Sequence, residues 1–95
     1  MSNITESKFN KLFVGSTNEN NKFRITKKIN NGSEVCFDKI RQIVTIYELG
    51  DLSENENYNA PKGTMGMLEK FRTNNLEELI KYLNGGLKCK EKHTH

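Results

Sequence analysis

The 95-residue chain has no tryptophan, one proline, one alanine, two cysteines and only three arginines. It also lacks any run of about 18 apolar residues, which excludes a membrane-spanning helix. Cys36 and Cys89 are too few and too far apart for a disulfide framework, so both thiols are expected free. The opening stretch MSNITESKFNKLF carries Glu6 and no apolar region of the kind a secretory signal needs. A reducing cytoplasm is the compartment that follows from these two readings. No internal repeat and no low-complexity tract stands out beyond a bias to asparagine.

Leu, Ile, Val and Phe make up 23 of the 95 residues. That lies just above the roughly 20% below which charged chains tend to stay unfolded, so one small core in one domain is expected. Asn (13 residues) and Lys (12) dominate the polar set. This bias fits an AT-rich coding sequence, as in some phages, low-GC bacteria and protists. The net charge is only +3, but it is segregated. Residues 1–32 hold six bases and two acids, residues 33–61 two bases and six acids, and residues 62–95 seven bases and four acids. A basic face for an anionic partner is one reading, and ordinary solvated charge is the other.

Thr5 can cap a short helix through Val14, with Gly15 as a left-handed terminator, and Phe9, Leu12 and Phe13 share its apolar face. Residues 16–21 (STNENN) are polar and predict a loop. Residues 22–29 alternate as a half-buried strand, with Phe23, Ile25 and Ile29 on one side, Lys27 interrupting them, and Arg24, Thr26 and Lys28 on the other. Asn31-Gly32 is a hairpin signal, and a return strand starting near Ser33 carries Val35 and Phe37. Residues 42–49 are β-branched and aromatic, with apolar groups on both faces, and predict the central strand. Residues 50–59 (GDLSENENYN) predict an exposed acidic loop that ends at Ala60-Pro61. In residues 64–71, the spacing of Met67, Leu68 and Phe71 tilts the reading toward helix over strand, although Gly63 and Gly66 oppose a long one. Residues 74–84 are the clearest helix. Asn74 is its cap, Glu77 completes a capping box, and Leu76, Leu79, Ile80 and Leu83 form a stripe before Gly85-Gly86. The predicted fold is therefore α+β. It is an antiparallel sheet of three to four strands with the C-terminal helix on one face and a short N-terminal helix, in one domain over residues 1–86, followed by a flexible basic tail over residues 87–95.

No set of residues makes a convincing catalytic constellation, so a non-enzymatic protein without a cofactor is expected. Cys36 reads as a strand filler. Cys89, His93 and His95 are suitable zinc donors, but a structural site needs a fourth ligand and none is near, so no metal is expected. The acidic loop lacks the residue order of a calcium loop, and Lys62-Gly63-Thr64 is at most the end of a phosphate-binding loop. The leading expectation is a nucleic-acid-associated protein using Lys22, Arg24, Lys27, Lys28, Lys39 and Arg41. Phe23 and Tyr47 are candidates for stacking on bases, or else core residues. The scarcity of arginine weakens base-specific reading, since arginine is the usual bidentate reader of guanine. The order of strands before a helix over residues 22–84 resembles that of the single-stranded-DNA-binding PUR-alpha family. Phe23-Arg24-Ile25, residues 43–48 and Lys62-Gly63 take comparable places. The likeness is one of order alone, and the stretch from Gly63 to the helix is longer than the family's pattern. The alternative is a protein-interaction factor, such as a phage-type inhibitor of a host protein. It would act through Asp51, Glu54, Glu56 and Tyr58 as a negatively charged decoy. No membrane partner is expected, and a homodimer is left open.

Overall fold

The structure, a computed structural model, describes residues 3–29 and 32–86. The predicted tail and the Cys89, His93 and His95 cluster lie outside the described residues. The elements are α1 (Glu6–Leu12), β1 (Ser16–Asn20), β2 (Arg24–Lys28), β3 (Glu34–Asp38), β4 (Ile43–Asp51), a 3₁₀ turn (Leu52–Glu54), β5 (Met65–Thr73) and α2 (Leu76–Lys81). The five strands form an antiparallel meander in the order β1-β2-β3-β4-β5. The class is α+β, with one strand more than the upper expectation of four.

Alternation along the strands sends Ile25, Val35, Phe37, Val44 and Ile46 to one face, where all are buried. Ile25 lies opposite Phe37, and Val35 opposite Ile46. Both helices close over this inner face. From the N-terminal side come Ile4, Phe9 and Phe13, and from α2 comes Leu79. Phe9 stacks on Phe37 with ring centroids 5.3 Å apart. Burying one such ring contributes roughly 1.5–3 kcal/mol, so this short α1 is held by packing more than by its own seven residues.

Thr5 caps α1 as expected, accepting from the Lys8 N–H at 3.2 Å. The helix stops at Leu12 and not at Val14, because Phe13 turns extended (φ −120°, ψ 101°) to keep its ring in the core. Gly15 is therefore no left-handed terminator. It is where the chain closes on the end of β2 to begin pairing with it, and a Cβ there would stand 2.3 Å from the Lys28 carbonyl oxygen. The hairpin read from Asn31-Gly32 does join β2 to β3, with Gly32 at φ +87°. Asn31 is outside the described residues.

Two segments differ in kind from expectation. Residues 16–20 form β1, an edge strand that packs few apolar groups and so gives no hydrophobic alternation to read. Residues 65–73 form β5 and not a helix. Lys70 is a bulge residue, since Phe71 faces Ile46 while Glu69 faces Tyr47. The bulge places Leu68 and Phe71 on one face three residues apart, a spacing that imitates a helix. Asn18 is a matching bulge in β1. Bulges on both outer strands disfavour edge-to-edge pairing. β4 is flanked on both sides, by β3 and β5, but the middle of the sheet is β3.

The cap of α2 is Asn75 and not Asn74. Its Oδ1 accepts from the Glu78 N–H at 2.9 Å, and the Glu78 carboxylate accepts from the Thr73 hydroxyl, which itself accepts from the Asn75 N–H at 3.1 Å. Leu76, Leu79 and Tyr82 form the packed stripe, and Phe71 stacks on Tyr82 at 4.1 Å. Ile80 and Leu83 are each 39% exposed and do not pack against the core cluster. The helix passes into an irregular turn over Tyr82–Gly86, where Gly85 takes φ +95° as the expected C-cap.

Candidate functional site

The same alternation that fills the core puts Arg24 on β2, Cys36 and Asp38 on β3, Ile43, Thr45 and Tyr47 on β4, and Glu69 and Arg72 on β5 on the opposite, outer face. Among the described residues both helices pack on the inner side, which leaves this face uncovered. It forms a concavity of about 570 Å³, with Phe23, Ile40 and Arg41 at one end, Arg72 and Tyr47 at the other, and Cys36 on the floor. Phe23 is 59% exposed and Ile40 is 71% exposed, and both line the concavity.

All three arginines of the chain line this one concavity, and none of the nine lysines among the described residues does. Each guanidinium has its own carboxylate. Arg24 Nε is 3.2 Å from Glu19 Oε1, and Arg41 Nε is 3.6 Å from Asp38 Oδ2. Arg72 is held in two places, Nη2 to Glu69 Oε1 at 2.9 Å and Nε to Glu69 Oε2 at 3.2 Å. The carboxylates are themselves positioned. Glu19 accepts from the Asn21 side chain at 2.9 Å. Asp38 accepts from the backbone N–H groups of Ile40 and Arg41, each at 2.9 Å.

Those backbone donors, that of Arg41 foremost, hold the Asp38 carboxyl below its ordinary value. Burial pushes the Cys36 thiol and the Tyr47 hydroxyl up. Both therefore stay neutral at pH 7, and the floor of the concavity carries no thiolate. Among the described residues no three His, Cys, Asp or Glu side chains gather as metal ligands. No helix among them is long and apolar enough to cross a membrane.

Of the six residues expected to bind nucleic acid, the structure brings together only Arg24 and Arg41. Lys27 is 7% exposed on the inner face. Its ammonium donates to the Phe13 carbonyl at 2.9 Å and lies 5.4 Å from the Phe9 ring centroid. It takes an inward position in the alternation, so it cannot join a basic outer face. Lys39 turns toward α1, with Nζ 2.9 Å from Asn20 Oδ1 and 3.7 Å from Glu6. Lys22 sits at the β1–β2 turn, 5.8 Å from the Phe23 ring centroid, and Lys28 is exposed at the far end of β2.

The acidic loop is also smaller than expected. Asp51 belongs to β4 and caps the 3₁₀ turn, accepting from the Ser53 and Gly63 N–H groups at 2.9 Å each. These bonds, that from Ser53 first, hold its carboxyl below the ordinary value. Glu54, Glu56 and Tyr58 remain exposed. Arg72 escaped sequence reasoning because residues 64–71 looked helical. Read as a strand with a bulge at Lys70, Glu69 and Arg72 fall on the same side as Tyr47.

Comparison with family models, with curated proteins and with solved structures finds no match. The likeness in element order to the PUR-alpha family therefore carries no argument.

Proposed function

We propose that the protein is a non-enzymatic binding module that takes single-stranded nucleic acid on the outer face of its sheet. One observation carries this reading: the only three arginines and two aromatic rings, Phe23 and Tyr47, line a single open concavity. Unpaired bases expose flat π-faces. Aromatic rings and guanidinium planes both take such faces by stacking, in water and without sequence preference. A volume of about 570 Å³ falls in the range of small-ligand sites, enough for a base and its sugar. The basic strand and hairpin are thereby replaced as the binding surface by the arginine concavity. A cytoplasmic setting goes with this reading, in keeping with the free Cys36 thiol. An origin in a phage or another AT-rich genome rests on composition alone.

A second reading is a protein partner at the acidic loop, favoured by the exposed Glu54, Glu56 and Tyr58. Fluorescence anisotropy with a labelled, unstructured strand of about 12 nucleotides separates the two. Replacing Phe23 and Tyr47 together by alanine is expected to weaken binding at least tenfold, at roughly 1–3 kcal/mol per stacked base. Replacing Glu54 and Glu56 by glutamine is expected to leave it unchanged. No binding by the wild-type chain, or loss through Glu54 and Glu56 alone, would overturn the proposal.

A further inference from the structure

We infer that Glu19, Asp38 and Glu69 set the specificity of this face, by making its arginines stacking plates for unpaired bases in place of clamps for phosphate. The inference rests on the outer-face reading above. A phosphate engages arginine as a carboxylate does, through two parallel N–H donors on one edge of the guanidinium. On Arg72 that edge is already filled by Glu69, at 2.9 and 3.2 Å. On Arg24 and Arg41 the Nε donors face Glu19 and Asp38. A phosphate must displace Glu69 from that edge of Arg72 or turn to the outer Nη1–Nη2 edge, and at Arg24 and Arg41 it competes with a carboxylate already placed at Nε, whereas a base needs only the flat face of the guanidinium.

The charge pattern points the same way. Three cations in the concavity are matched by three acids within 2.9–3.6 Å, so the site offers little net field to a polyanion. The lysines among the described residues, which would supply such a field, do not line it. Glu69 is the cross-strand partner of Tyr47, so the two-pronged Arg72–Glu69 plate lies beside that ring. A flat guanidinium next to an aromatic ring is a platform for consecutive bases.

The test uses the full chain, a labelled unstructured strand, a duplex of equal length, and inorganic polyphosphate as competitor. For wild type, log K is expected to fall with log salt at a slope no steeper than about −0.7, the value for one phosphate contact on a single strand. Neither duplex nor polyphosphate is expected to compete. Glu69→Gln and Glu19→Gln are each expected to steepen the slope by about 0.7, one freed arginine apiece, and to admit polyphosphate as a competitor. Asp38 is left intact because it also receives two backbone N–H groups. Two glutamine variants are used so that a folding defect in one, seen by circular dichroism, leaves the other to decide. A wild-type slope near −2 that neither variant changes would overturn the inference and leave single-strand binding standing. Absence of single-strand binding by wild type and both variants would overturn the outer-face reading and the inference with it.

Discussion

The two faces of the sheet are built from alternate residues of the same strands, and neighbouring side chains of one type meet opposite fates on them. Lys27 and Lys28 are adjacent. Lys27 is buried under α1 and donates to the Phe13 carbonyl, while Lys28 stands in water. Phe9 and Phe23 differ as sharply, one wholly buried on Phe37 and the other exposed at the rim of the concavity. On the inner face the polar groups serve the packing. On the outer face apolar groups sit among three arginine–carboxylate pairs. Residue type alone therefore says little about role here, and position in the alternation says much.

The largest expected contrast is between the two phenylalanines. Phe9→Ala is expected to cost about 3–5 kcal/mol by urea unfolding, since it opens a cavity at the centre of the core. Phe23→Ala is expected to stay within about 0.5 kcal/mol. Similar losses for both would break the distinction between the faces. The lysine pair gives a smaller contrast. Lys27→Ala strands the Phe13 carbonyl under the helix and is expected to cost roughly 1–3 kcal/mol, against about 0.5 kcal/mol or less for Lys28→Ala.

The smallest effect is in acid. Asp38 and Asp51 have folded values held below the ordinary carboxylate range. Their contribution is present above the unfolded value of about 3.9, and it is lost as the pH falls through the lower folded values. Asp38→Asn and Asp51→Asn are expected to be slightly less stable than wild type at pH 7. That gap should close below about pH 3, as urea midpoints would report. A gap independent of pH would assign both residues to geometry alone.

Much of this arrangement was legible in the sequence. The Thr5 cap, the β2–β3 hairpin, the buried Val35 and Phe37, and α2 with its left-handed Gly85 follow from local chemistry. What escaped did so for identifiable reasons. β1 pairs through its backbone and packs few apolar groups, so it leaves no hydrophobic pattern. The bulge at Lys70 converts strand alternation into a helix-like spacing of Leu68 and Phe71. With β5 misread, Arg72 had no place beside Arg24 and Arg41. The convergence of the three arginines depends on pairing between β4 and β5 across about 25 residues of chain, which no local motif encodes.

On the proposed reading the outer face, and no other surface, receives the ligand. Backbone amide shifts followed by NMR, as an unstructured oligonucleotide is titrated into the labelled protein, test it most directly. Shifts are expected to concentrate at Phe23, Arg24, Arg41, Tyr47 and Arg72, with Ile25, Val35 and the Glu54–Glu56 loop unmoved. Shifts confined to that loop or to the end of the β2–β3 hairpin, or none at all, would contradict it.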